Sequence, residues 1–212
     1  CKWDNIIPFD LLWKEYERII KDSGAIVLTA SQPFTSVLIM SNPKLFKYEW
    51  IWEKSKASNF LQASYMPLKA HENIVVFGKG KTIYNPQKTE GKPYNKGIEK
   101  RTNIEVFGKI GNGDLIENKN GDRNPRSVIY FRTAESEGKT EHPTQKPTAL
   151  FEYLIKTYTN EGDLVLDNCA GSFTTAEACF NTNRKSICIE KELKYYEIGV
   201  ERMRKVKEKQ GL

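Results

Sequence analysis

Apolar positions from Phe9 to Lys21 recur at helical spacing, which predicts a helix with Leu11, Leu12, Tyr16, Ile19 and Ile20 on one face and Gly24 as its stop. Ala25–Ala30 is a short unbroken apolar run, the pattern of a strand covered on both faces. A second helix is predicted to start near Pro33 and end before Pro43. Lys47–Glu53 then alternates as a strand, and Asn73–Phe77 forms another, with a polar connection from Lys54 to Glu72 between them.

The rhythm fails between Gly78 and Glu141. Nine of the chain's 14 glycines fall there, among many Lys and Arg, with Tyr84, Tyr94, Phe107, Tyr130 and Phe131 scattered between them. Within it only Ser127–Phe131 reads as a strand, so the stretch is predicted to be an insertion or a small subdomain. After Pro147 the alternation returns: a helix over Ala149–Tyr158, a strand over Leu164–Asp167, a helix over Thr174–Phe180, a strand over Ser186–Glu190 and a long basic helix over Leu193–Lys209. Strands alternating with helices predict an α/β domain with a mostly parallel sheet.

Composition narrows this picture. With 39% apolar and 28% charged residues the chain is globular, and no apolar run approaches the ~20 residues of a membrane helix. The net charge of +6 and the pI of about 9.0 suit a polyanionic partner. Four cysteines, Cys1, Cys169, Cys179 and Cys188, show no CxxC spacing and read as reduced, buried thiols. With only His71 and His142 beside them, the spacing argues against a zinc site.

The candidate chemistry lies near the C-terminal end. Asp167 closes a predicted buried strand, where a carboxylate needs a donor, water or a cationic ligand. Gly171 lets the backbone turn sharply, and Ser172, Thr174 and Thr175 offer hydroxyls at a helix start. Glu190, 23 positions after Asp167, closes the next strand at the offset suited to ribose hydroxyls. The turn lacks the GxGxxG cradle of pyrophosphate and carries an acid in its place, so a nucleoside with a cationic head fits better, as in S-adenosylmethionine. The plainer reading of either acid alone is structural, Asp167 as a helix cap and Glu190 as a solvated strand end.

These residues resemble the β-class amino DNA methyltransferases, which modify adenine N6 or cytosine N4. The cofactor motif of that family is similar to DPFxGSGTT, and Asp167–Thr175 reads DNCAGSFTT; Thr144-Gln145-Lys146-Pro147 matches the family's TQKP helix start in full. GAIVLTASQPF, YEWIWEKSKASNFLQA and HENIVVFGKGK are similar to the family's strands and hairpin. The departures are Asn168 and Cys169 for Pro-Phe, and Phe173 for the second glycine.

The resemblance implies a Rossmann-like methyltransferase fold with an antiparallel hairpin, divided into residues 1–79 and 141–212 as core halves and 80–140 as an irregular target-recognition insertion. It implies S-adenosylmethionine as cofactor, with Asp167 and Gly171 lining the methionine end, Glu190 holding the ribose, and Thr144, Gln145 and Lys146 on the methionine portion, Lys146 by pairing with its carboxylate. It implies double-stranded DNA as partner, a homodimer as an option, no membrane and no metal, and the cytoplasm of a bacterium or a phage-infected cell. Arg123, Arg126 and Arg132 are the candidate DNA contacts. Trp50 and Trp52 are expected on a strand with one face in the core and the other near the base pocket. The helix carrying Arg202, Arg204, Lys205, Lys207 and Lys209 reads as a solvated basic face.

The family's catalytic motif, (D/S)PPY, does not occur among the 212 residues. The resemblance places it upstream of Cys1, on a strand between those ending at Asp167 and near Ala30. The implied reaction is methyl transfer to the exocyclic amine of a flipped-out base, adenine N6 on family frequency. N4-cytosine transfer, an RNA or protein methyltransferase, and a non-catalytic nucleic-acid-binding relic are the alternatives.

Overall fold

The computed structural model describes residues 6–98, 115–138 and 140–211. The chain forms two compact units, one of Cys1–Asn85 with Ser127–Leu212 and the other of Pro86–Arg126.

The first unit holds α1 (Phe9–Ile19), β1 (Ile26–Ala30), α2 (Phe34–Ser41), β2 (Phe46–Ser58) and β3 (Lys69–Phe77). The second unit contributes β4 (Tyr94–Ile98) and β5 (Leu115–Asn118). The chain then returns to the first unit with β6 (Val128–Phe131), α3 (Ala134–Glu137), α4 (Thr148–Tyr158), β7 (Leu164–Asp167), α5 (Thr174–Asn181), β8 (Lys185–Cys188) and α6 (Leu193–Lys209).

Strand direction differs from the mostly parallel expectation. The four-stranded sheet runs β1-β3-β2-β6, with β3 antiparallel to both β1 and β2 and β6 parallel to β2. β7 and β8 form a separate parallel pair, so β1 and β7 are each an edge of their sheet. The physical reason is the connection after β2. The strand runs five residues past its predicted end, to Ser58, and turns back within ten residues, too few for a crossover, so β3 returns antiparallel.

β3 is the spine of the core. Ile74, Val75, Val76 and Phe77 are fully buried, and the period of two sends them to opposite faces. Ile74 and Val76 join Trp50, Trp52, Leu150, Leu154 and Tyr158 on the α4 side, and Val75 and Phe77 join Trp13 and Leu38 on the side of α1 and α2. Each such side chain contributes about 1.5–3 kcal/mol by leaving water. Trp50 and Trp52 therefore share one face and both lie in the core, because residues two apart on a strand point the same way. Their indole N–H groups are satisfied there, Trp50 donating to Tyr158 Oη at 2.6 Å and Trp52 to the Phe131 carbonyl at 3.0 Å.

α1 forms where predicted but buries a different stripe. Phe9, Trp13, Tyr16 and Ile20 pack on the sheet, whereas Leu11 and Ile19 face solvent. α4 links the two sheets: Leu150, Leu154 and Tyr158 face β2 and β3, while Ile155 packs on Ala178 and Cys179 of α5 with Val165 of β7.

The second unit contains two strands that the sequence pattern did not reveal, β4 and β5, paired antiparallel. Arg123 holds this unit together. Its guanidinium donates to the carbonyls of Gly121 at 2.7 Å, Asp122 at 3.1 Å and Lys92 at 2.5 Å, and lies 4.9 Å from the Tyr94 ring.

Candidate functional site

The site is built at the end of the β7–β8 pair. Asp167 lies opposite Cys188 in the parallel register, and the chain leaves β7 through a turn that ends at α5. Both oxygens of Asp167 are engaged by that turn: Oδ1 accepts from the Cys169 backbone N–H at 3.0 Å, and Oδ2 from the Thr175 hydroxyl. Glu190, just past β8, reaches across the same turn. Its Oε2 accepts from Gly171 N–H at 2.7 Å and its Oε1 from Glu192 N–H at 2.8 Å. Each carboxylate oxygen has a second lone pair, so the two acids order the turn and keep acceptor capacity for a ligand. The structural and the ligand-binding readings of these acids are thus compatible.

Gly171 has φ +50°, a conformation that favours glycine, and the His142 ring lies 3.5 Å from where a Cβ would stand. His142 anchors the loop before α4. Its Nδ1 faces the Thr144 backbone N–H at 3.2 Å and the Thr144 hydroxyl at 3.1 Å, and its ring meets Tyr195 edge-on at 4.1 Å. Burial lowers the His142 pKa below the ordinary histidine value, and the nearby Glu190 charge opposes that shift. Gln145 closes the arrangement: its Oε1 accepts from the Ser172 hydroxyl at 3.0 Å and from Glu141 N–H at 3.2 Å.

Five of the six predicted cofactor residues therefore meet in one hydrogen-bonded cluster: Thr144, Gln145, Asp167, Gly171 and Glu190. Lys146 turns the other way. Its ammonium pairs with Glu72 of β3 at 2.7 Å and stands 5.9 Å from the Trp52 ring centre, while Lys54 of β2 approaches the other oxygen of Glu72 at 3.6 Å. Two lysines share one carboxylate, so this half-buried group carries a net positive charge beside the start of α4. Sequence spacing could not find Glu72 and Lys54, which lie 74 and 92 positions before Lys146.

The substituted positions have structural partners. Asn168 accepts a hydrogen bond from Tyr16 of α1 at 2.8 Å, and burial of that phenol pushes its pKa up to about 12, so it stays a donor. Cys169 is exposed, contrary to the buried expectation, whereas Cys179 is buried and Cys188 half-buried; Cys1 lies outside the described residues. Phe173 occupies the left-handed region at φ 61° and ψ 35°, and its ring lies on Gly199 of α6 and edge-on to Tyr196 at 5.8 Å.

Arg202 was expected on a solvated face and instead turns inward. It pairs with Glu177 at 2.5 Å and donates to the Ser172 carbonyl at 3.2 Å, the Thr174 hydroxyl at 3.1 Å and the Thr148 hydroxyl at 3.0 Å. One guanidinium thereby fixes the turn after β7, the start of α5 and the start of α4. Of the three candidate DNA contacts, Arg123 is committed to its own unit as described, and Arg126 and Arg132 are exposed. Among the described residues no group of three or more His, Cys, Asp and Glu could hold a metal ion, and no helix is long and apolar enough to cross a membrane.

The profile of the N6/N4 DNA methylase family matches residues 9–201. The type II methyltransferase M.HpaI of Haemophilus parainfluenzae is 40% identical over 82 residues, covering 38% of this chain and 26% of that protein. M.HinfI of Haemophilus influenzae is 37% identical over 223 residues, covering 97% of this chain and 54% of that protein. The chain thus spans about a quarter and about half of the length of these two relatives. Among solved structures, the M1.HpyAVI–SAM complex superposes with a TM-score of 0.62 at 26% identity, over 92% of this chain and 85% of that one.

Proposed function

The chain belongs to the N6/N4 DNA methylase family, and we propose that it serves an S-adenosylmethionine-dependent transfer of a methyl group to an exocyclic amine in double-stranded DNA, adenine N6 in preference to cytosine N4. One observation carries this reading. The acidic turn after β7 and the positively charged group at Lys146 are joined by the single segment His142–Lys146. A ligand with a ribose and a cationic centre near one end and a carboxylate at the other matches that polarity.

The residues present fit the cofactor. Glu190 would hold the ribose hydroxyls through its remaining lone pairs, and Asp167 with the open face of Gly171 would border the methionine end. Lys146, with Lys54 beside it, would meet the methionine carboxylate in competition with Glu72. Thr144 and Gln145 would act through the order they give the loop. When bound, the cofactor supplies a methyl group on a sulfonium, an electrophile suited to in-line displacement by an amine. The exposed Arg126 and Arg132 would take DNA phosphates, and Pro86–Arg126 would form the main part of a target-recognition unit.

Calorimetric titration with S-adenosylmethionine tests the cofactor assignment: Asp167→Ala and Glu190→Ala should each weaken binding at least tenfold. Transfer of labelled methyl to unmethylated DNA, RNA and protein, followed by mass spectrometry of the released nucleosides, tests the substrate. N6-methyladenine in DNA is the expected product. Label appearing in RNA or protein instead would overturn the DNA assignment. Cofactor binding with no transfer to any acceptor, by a protein verified to carry the catalytic motif expected upstream of Cys1, would mark a binding relic.

A further inference from the structure

The connection between β2 and β3 carries an unusual group of side chains. Phe60 and Leu61 are 73% and 84% exposed, and Tyr65, Met66 and Leu68 are exposed beside them. Exposing five large apolar side chains in ten residues is costly unless something covers them. The segment is also built. Asn59, at φ 65°, starts a short 3-10 turn over Phe60–Gln62, and successive bonds from Gln62 N–H to Asn59 O at 2.9 Å and from Met66 N–H to Gln62 O at 3.0 Å fold it into a knuckle. Phe60 and Leu61 are thereby held outward.

Charge selects the occupant. Between Glu53 and Glu72 the chain contains no acidic residue, and with Lys54 committed to Glu72 the cations nearest the knuckle are Lys56 and Lys69. Lys56 reaches Glu135 at 3.8 Å, an exposed pair that contributes little. A second copy docked symmetrically through this tip would bring its cations against their own images. A polyanion with apolar surfaces between its charges meets both features at once. The position agrees. Lys69, where β3 begins, is three residues from Glu72, so the knuckle begins ~10 Å along the strand from the Lys146 pair.

We propose that Phe60 and Leu61 form an apolar wedge that enters a base step of duplex DNA next to the base presented to the site, with Lys56 and Lys69 on the flanking phosphates. Phe, Leu and Met are the side-chain types that unstack base steps in this way. The proposal rests on the DNA reading above and adds a contact outside the 80–140 stretch assigned to target recognition.

The test compares the chain with its Phe60→Ala/Leu61→Ala variant and with Phe60→Trp, all at surface positions, with circular dichroism to confirm folding. Binding to an unmethylated mixed-sequence duplex is followed by fluorescence anisotropy. Unstacking is followed by permanganate reactivity of thymines, and oligomeric state by sedimentation velocity. The double alanine variant should bind DNA roughly tenfold or more weakly and lose the permanganate signal, with S-adenosylmethionine affinity unchanged, and Phe60→Trp should retain both DNA readouts. Unchanged DNA affinity and permanganate reactivity would overturn the wedge. So would a shift from dimer to monomer with DNA affinity unchanged, which would assign the knuckle to a second copy. If the unaltered chain binds the cofactor but no DNA, the DNA reading itself fails and the wedge with it. If the unaltered chain binds DNA and the variants match it, only the wedge fails.

Discussion

Phe173 and Gly199 should behave as one unit in a double-mutant cycle. A Cβ placed on Gly199 would stand 2.4–2.7 Å from Cγ, Cδ1 and Cδ2 of Phe173, well inside van der Waals contact. The ring is only 7% exposed, so moving it aside opens its packing against Ala176 and Met203. Gly199→Ala therefore adds an overpacking cost of about 1–3 kcal/mol, offset by about 1 kcal/mol of helix propensity. The expected net loss is about 0–2 kcal/mol. Phe173→Gly removes a buried ring at a cost of about 3–5 kcal/mol and relieves about 1 kcal/mol of left-handed strain. In the Phe173→Gly background the ring is gone, and Gly199→Ala should stabilise by about 1 kcal/mol. The second substitution thus changes from costly or neutral to stabilising, with a coupling energy of about 1–3 kcal/mol. Urea unfolding of the four proteins measures it. Additivity within about 0.5 kcal/mol would refute the seating of the ring on Gly199. Cofactor titration of the same set adds a functional reading, since the strained residue lies two positions from Gly171: Gly199→Ala should weaken binding, and Phe173→Gly/Gly199→Ala should recover part of it.

Three other outcomes follow from the site. Arg202→Lys keeps the charge but loses the fork that serves Glu177, Ser172, Thr174 and Thr148; thermal unfolding should show a loss of about 2–3 kcal/mol, and a loss under about 0.5 kcal/mol would show the clamp to be idle. Glu72→Gln leaves Lys54, whose side chain is 9% exposed, facing Lys146 without a carboxylate between them; chemical denaturation should show a cost of about 2–4 kcal/mol, whereas an unchanged midpoint would mean that the lysines find other partners. His142 has a folded-state pKa below its unfolded value, so the unfolded chain takes up the proton first as pH falls; its stability contribution is complete above about 6.5 and declines below that, and His142→Gln should flatten the unfolding midpoint between pH 7 and 5.5, an identical slope in both proteins counting against the assignment.

Element positions were legible in the sequence wherever apolar periodicity was strong, as in Phe9–Ile19, Ile26–Ala30 and Leu193–Lys209. Strand direction was not legible in the periodicity, which reports which face is covered and is silent on the neighbour; the antiparallel β2–β3 hairpin was expected only from the family resemblance. β4 reads Tyr-Asn-Lys-Gly-Ile, with a glycine at φ +70° and exposed side chains, so it offers no alternation to detect. The candidate site was legible in its short-range part, Asp167 to Thr175 with Glu190, since a turn and the next strand end lie close in sequence. Its long-range part was hidden. Nothing near Lys146 announces Glu72, and nothing near Arg123 announces that its guanidinium serves three carbonyls of its own unit. Arg202 shows the same limit, where a charged helix concealed one arginine that turns inward to Glu177.

In the segment from His142 to Lys146, His142 and Gln145 touch the acidic turn and Lys146 touches the β2–β3 hairpin. Gln145 and Lys146 are neighbours in the chain, so a displacement of one is passed to the other. If cofactor binding moves this strap, the hairpin that carries Phe60 and Leu61 shares the free energy of that movement. Thermodynamic linkage then demands reciprocity: whatever factor the cofactor contributes to DNA affinity, DNA must return to cofactor affinity. The order in which the two are added to the protein would change the path and leave the final complex the same.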